Sequence, residues 1–114
     1  MSESPRVAVG LVAVGGSIGA LARWSVGTVA PGPAGTLLVN VAGSFLLAVL
    51  TTRETSAEFR SFGAAGFCSS FTTYSALAVE SVGLGPFAGV GYLVVTHVAG
   101  LLAASVGVRL GGDA

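Results

Sequence analysis

Residues 59–82 read FRSFGAAGFCSSFTTYSALAVESV, an apolar run with a knot of hydroxyl groups at its middle. Crossing roughly 30 Å of hydrocarbon takes about 20 mostly apolar residues at 1.5 Å rise each, so the run is long enough to span a bilayer. Its centre, Gly66-Phe67-Cys68-Ser69-Ser70-Phe71-Thr72-Thr73-Tyr74-Ser75, carries five Ser and Thr residues. Such side chains compete for neighbouring backbone groups, and a cluster of them predicts a helix broken mid-membrane. The competing reading is an unbroken helix whose hydroxyls bond back onto the preceding turn. Irregular backbone at that depth is tolerated only where protein buries it or where it lines an aqueous cavity. Carbonyls freed at a break suit a cation, and freed N–H groups and hydroxyls suit an anion.

Three further segments outside this run are apolar enough to cross, at approximately 7–29, 36–52 and 87–110. With 59–82 they predict one all-α integral membrane domain of four transmembrane helices filling residues 1–114. Ala30-Pro31-Gly32-Pro33-Ala34-Gly35 is a Pro/Gly turn, residues 52–58 form a polar loop, and Gly83-Leu84-Gly85-Pro86 closes the last hairpin. Hydrophobic residues make up 53% of the chain and charged residues only 9%. A soluble domain carries about 25% charged residues, so a soluble enzyme is excluded. A net charge of zero also excludes a nucleic-acid partner, which needs cations for its phosphates. Ala20-Leu21-Ala22 mimics a signal-peptide cleavage site, but the leader is barely basic and the remaining chain equally apolar, so the first run is read as a retained helix.

The arginines set an orientation. Four spans place both termini and the middle loop on one side, with Arg6, Arg53, Arg60 and Arg109, against Arg23 on the other. The positive-inside rule then puts the N- and C-termini in the cytoplasm, with the chain multi-pass in the cell membrane among its lipids. Small residues at four-residue spacing, Gly15 and Gly19, then Ala99, Ala103 and Gly107, predict close helix packing.

Polar groups within spans are costly and need a reason. Thr36, Asn40 and Ser44 share one face of the second segment, and Tyr92 and Thr96, followed by Gly100, one face of the fourth. Asn40 serves either as interhelical glue or as a ligand contact. Arg23 either snorkels from a helix end or lines an anion vestibule. Glu80 has no partner legible in sequence. His97 reads as a packing residue on the bundle or lipid side, with pH gating the alternative. Cys68, the single cysteine, has no activating neighbour, so no disulfide, metal site or nucleophile follows from it. Donors without acidic rings point to anions as the passing species.

Gly15-Gly16-Ser17-Ile18-Gly19-Ala20-Leu21-Ala22-Arg23-Trp24, then 35–45 (GTLLVNVAGSF) and 66–75 (GFCSSFTTYS), resemble three ordered motifs of the Fluc (CrcB-type) fluoride channel family. The resemblance implies an antiparallel, dual-topology dimer with two fluoride pores and passive efflux of fluoride from the cytoplasm. It implies a structural sodium ion, not transported, held between subunits by the backbone carbonyls of Ser69 and Thr72. It further implies a fluoride pathway of Asn40, Thr73, Tyr74, Ser75, Leu77, Tyr92 and Thr96, with Arg23 in the vestibule.

The chain departs from that pattern at three places. Ser69-Ser70 stands where the family usually has two glycines, a concern only where φ must be positive. Tyr74 and Leu77 stand at an aromatic pair whose ring edges contact fluoride, and Leu77 has no ring. Gly100 lacks the hydroxyl of its track. With the four-to-one arginine bias, the degraded aromatic pair suits one member of a heteromeric pair, inserted with termini inside, whose partner is a paralogue of opposite orientation; the alternative is a second copy of the chain. One rival is a non-conducting structural subunit. A second, a small multidrug-type transporter, needs a carboxylate in the first helix, and none is there.

Overall fold

The computed structural model describes residues 4–112, and the described chain is helical with no strand. Helix α1 spans Pro5–Val29 and α2 spans Pro33–Thr52. A short α3, Ala57–Arg60, runs into a π-helical segment, Ser61–Cys68, and then into α4, Ser69–Phe71. Helix α5 spans Tyr74–Leu84 and α6 spans Pro86–Gly112.

Three helices begin at proline, a residue that lacks the N–H a first turn leaves unpaired and has φ preset for the helix. For that reason α2 starts at Pro33, inside the stretch that the sequence reading gave to the turn. Side-chain caps set two further starts: Ser56 Oγ accepts from Phe59 N at 3.1 Å, and Thr73 Oγ1 from Ala76 N at 3.2 Å. Gly32 and Gly85 turn the chain at φ 79° and 90°, and no other residue type has positive φ among those described.

Helix α1 lies along the π-helical segment and α4, while α2 lies along α6, which also packs against α5. The first contact is a backbone-to-backbone approach. A Cβ at Gly15 would strike the carbonyl of Phe62, and one at Gly19 the carbonyl of Phe67 and the hydroxyl of Ser70. Gly107 sits similarly against the Phe45 carbonyl and Ala48. Small residues therefore face inward, as expected where no hydrophobic force drives helices together.

The exterior is the reverse. Trp24, Val29, Val82 and Phe87 are exposed, while the large fully buried side chains are Leu77, Val39 and Cys68. Helices α1, α2 and α6 are long and apolar enough to cross a membrane. The bundle is 48 Å in its longest dimension, more than the roughly 30 Å of a hydrocarbon core.

Candidate functional site

Between α4 and α5 the helical run is interrupted. Thr72 lies at φ −82°, ψ 159° and Thr73 at φ −149°, ψ 119°, both extended. The exposed peptide groups are taken up by one side chain. Asn40 Nδ2 donates to the Thr73 carbonyl at 2.9 Å, and Thr73 N–H donates to Asn40 Oδ1 at 2.7 Å. In a continuous helix that N–H would close on the Ser69 carbonyl four residues back. Asn40 is held in place on α2, where its own carbonyl accepts from Ser44 Oγ at 2.7 Å. Gly43, one turn further on, leaves room for Thr72, whose methyl occupies the space a Cβ there would need. Thr72 Oγ1 returns to the Cys68 carbonyl at 2.9 Å.

The end of α4 is tied to α1. Arg23 Nε donates to the Ser70 carbonyl at 3.0 Å, placing a cation at the negative end of the α4 backbone. Ser70 Oγ lies 2.7 Å from the Gly16 carbonyl, which joins the same two helices. Ser69 is right-handed helical, at φ −63° and ψ −35°, and Ser70 continues α4. The Ser-Ser pair therefore carries no strained backbone.

Two cavities meet at the interruption. One, of about 430 Å³, is walled by Asn40, Thr72, Thr73, Tyr74, Thr96 and His97, with Ser69 and Leu77 also on its wall. No Asp, Glu or Arg lines it. Thr96 is only 6% exposed, and its Oγ1 has no hydrogen-bond partner. A hydroxyl buried in that way is costly unless something else binds it. Leu77 is 1% exposed and supplies an apolar part of the wall.

The other cavity, of about 450 Å³, is walled by Arg23, Trp24, Thr36, Thr73 and Glu80. Glu80 is held by two hydroxyls: Thr36 Oγ1 donates to Oε2 at 3.0 Å and Tyr92 OH to Oε1 at 2.8 Å. Thr73 stands in both walls.

The structure thus gathers Asn40, Ser69, Thr72, Thr73, Tyr74, Leu77 and Thr96 around one cavity and Arg23 with Thr73 around the other. Ser75 and Tyr92 line neither. Ser75 Oγ is 3.3 Å from Thr73 Oγ1, and the phenol of Tyr92 is turned to Glu80. Sequence reasoning missed two residues. Glu80 has partners on α2 and α6 that no local spacing announces. His97, read as packing, lies on the cavity wall with its ring nearly perpendicular to that of Tyr74, centroids 5.9 Å apart. Its place immediately after Thr96 was the available signal.

Residues 10–108 match the family model described as CrcB-like protein, Camphor Resistance (CrcB). The chain is 41% identical over 108 residues to "Fluoride-specific ion channel FluC 2" of Rhodococcus jostii (strain RHA1), covering 88% of this chain and 95% of that one. It is 43% identical over 102 residues to "Fluoride-specific ion channel FluC 1" of Haloarcula marismortui, covering 85% and 80%. With "Fluoride-specific ion channel FluC 1" of Natronomonas pharaonis the identity is 45% over 86 residues, covering 69% and 72%. With both the family model and near-full-length relatives in agreement, the chain belongs to the CrcB family, a family of ion channels and not of enzymes.

Proposed function

We propose that the chain is the subunit of a fluoride-selective channel through which fluoride leaves the cytoplasm passively. The observation that carries this is the position of Thr73, which Asn40 pins between two cavities and which forms part of the wall of each. The path joins two cavities, one of which holds Arg23, a cation suited to an anion vestibule, beside a Glu80 carboxylate occupied by the Thr36 and Tyr92 hydroxyls. Thr73 separates that cavity from the uncharged one, where the Thr96 hydroxyl has no protein partner. Small anions are tightly hydrated, so such a path works by replacing water with fixed donors. Asn40 has a second amide hydrogen beyond the one given to Thr73, and the hydroxyls of Thr73, Tyr74 and Thr96 add to it. A negative-inside potential drives the anion outward by about 2.3 kcal/mol per 100 mV, so no pump chemistry is needed.

The segment from α3 to α5 is the fourth span in this reading, broken at mid-membrane, and the arginine bias puts both termini in the cytoplasm. Two subunits pack antiparallel. The chemistry of α4 fits a structural sodium ion: hard cations take oxygen ligands, and Thr73 N–H is diverted to Asn40 beside the Ser69 and Thr72 carbonyls. Ser69 is exposed, as a ligand shared with a second subunit must be. The ion would hold subunits together and take no part in conduction.

Buried Leu77 and hydroxyl-free Gly100, both on the wall of the uncharged cavity, favour one second reading, a non-conducting subunit that completes a paralogue's pores. Efflux from liposomes containing the purified chain alone decides between the two. Rapid fluoride release with negligible chloride release is the expected result. Well-folded protein that releases fluoride only when a paralogue is co-reconstituted would establish the second reading instead.

A further inference from the structure

His97 stands on the wall of the uncharged cavity, one residue from the unpartnered Thr96 hydroxyl and across from the ring of Tyr74. Two contacts hold the imidazole. Its Nδ1 lies 2.7 Å from the Leu93 carbonyl, and its ring stands at 84° to that of Tyr74. A carbonyl only accepts, so Nδ1 must carry the proton. In the neutral ring Nε2 is therefore a bare lone pair, and adding a proton turns that atom into a charged N–H donor. No other feature of this cavity can change charge in that way. The titratable groups sharing its wall are Tyr74 from α5 and Cys68 from the π-helical segment. Helix α2 contributes Asn40 and Ser44, which do not titrate, and α6 contributes no second titratable group to the wall.

We propose that His97 is an anion-contacting residue of this cavity, donating Nε2–H to the passing anion when protonated and opposing it with a lone pair when neutral. The inference rests on the fluoride pathway proposed above. It makes conduction depend on pH on the side of the membrane to which this cavity opens, with acid favouring passage. It also supplies, from α6, a donor on the wall where Leu77 offers only methyl groups.

Fluoride current through the full-length chain in planar bilayers, recorded at alkaline and at acidic pH, tests this. Hydrogen fluoride crosses lipid uncharged and carries no current, so the reading reports the channel alone. The wild-type current is expected to rise severalfold on acidification, and that of His97→Gln to stay flat. Equal pH profiles in the two proteins would overturn the role of His97 while leaving conduction intact. No fluoride current from the wild type at any pH would overturn the pathway and this inference with it. A second readout needs no variant, because the chain has a single histidine. Binding linkage is reciprocal, so fluoride must draw the imidazole nitrogen signals of ¹⁵N-histidine-labelled protein toward their protonated positions at fixed pH. Signals that fluoride leaves unmoved in a conducting preparation would also overturn the proposal.

Discussion

Asn40 and Thr73, thirty-three residues apart in the chain, bond reciprocally: the side-chain amide of Asn40 gives its N–H to the Thr73 carbonyl at 2.9 Å and takes the Thr73 N–H at 2.7 Å. One planar amide thus engages both backbone polar groups of a residue at the break between two helices. A buried backbone group without a partner costs about 1–3 kcal/mol, so the extended backbone at Thr73 depends on this one side chain.

Asn40→Leu removes both bonds and leaves the Thr73 N–H unsatisfied, while the Thr73 carbonyl, at the N-cap of α5, keeps its place in the first helical turn. We expect destabilisation of about 1–3 kcal/mol, at the lower end because groups within membranes find other partners. Fluoride efflux should be lost as well. Asn40→Asp keeps the acceptor for Thr73 N–H, so it should unfold closer to wild type in detergent while still failing to conduct. Thermal unfolding measured beside liposome efflux checks both arms, and equal stability of wild type and Asn40→Leu would refute the bracing role.

Gly43→Ala places a methyl where the Thr72 methyl sits. Overpacking of this kind costs about 1–3 kcal/mol. Thr72→Ser deletes the Thr72 methyl and keeps the hydroxyl that reaches the Cys68 carbonyl. The double variant should therefore recover most of the stability and efflux lost by Gly43→Ala, and a double-mutant cycle measures that coupling.

Glycines of α1 differ sharply in what surrounds them. Gly15→Ala drives a Cβ into the Phe62 carbonyl, which is backbone and cannot rotate away, whereas Gly27 has open space around it. The first substitution should separate α1 from the π-helical segment and lower the unfolding temperature by several degrees. Gly27→Ala should be neutral or slightly stabilising, since alanine is up to about 1 kcal/mol the better helix former.

Thr96→Val removes a hydroxyl that has no partner in the protein and keeps the shape of the side chain. Stability should hold or rise by about 1 kcal/mol, because an unsatisfied buried group disappears. Fluoride efflux should fall at least tenfold. Loss of both together would mean that the hydroxyl serves packing, and unchanged efflux would remove Thr96 from the pathway.

Much of this was legible in the order of residues. The apolar runs of α1, α2 and α6, the motif from Gly66 to Ser75 and the inward-facing Gly15, Gly19 and Gly107 all depend on local composition or fixed helical spacing. A helix repeats its faces every few residues, so such patterns need no knowledge of neighbouring helices. Position within an apolar span singles out Asn40 as polar, but spacing alone does not choose between interhelical glue and a ligand contact.

Only the tertiary structure decided where each polar group points. Thr36, Asn40 and Ser44 read as one face, yet Thr36 reaches Glu80, Asn40 reaches Thr73 and Ser44 returns to its own helix. Tyr92, four residues before Thr96, turns to Glu80 and away from the cavity that Thr96 lines. His97 looked like packing until α5 brought Tyr74 alongside it. A hydrogen bond is directional and short in range, so its partner depends on how two helices are rotated and stacked. Periodicity along one chain specifies which residues need partners, and helix packing selects the partner.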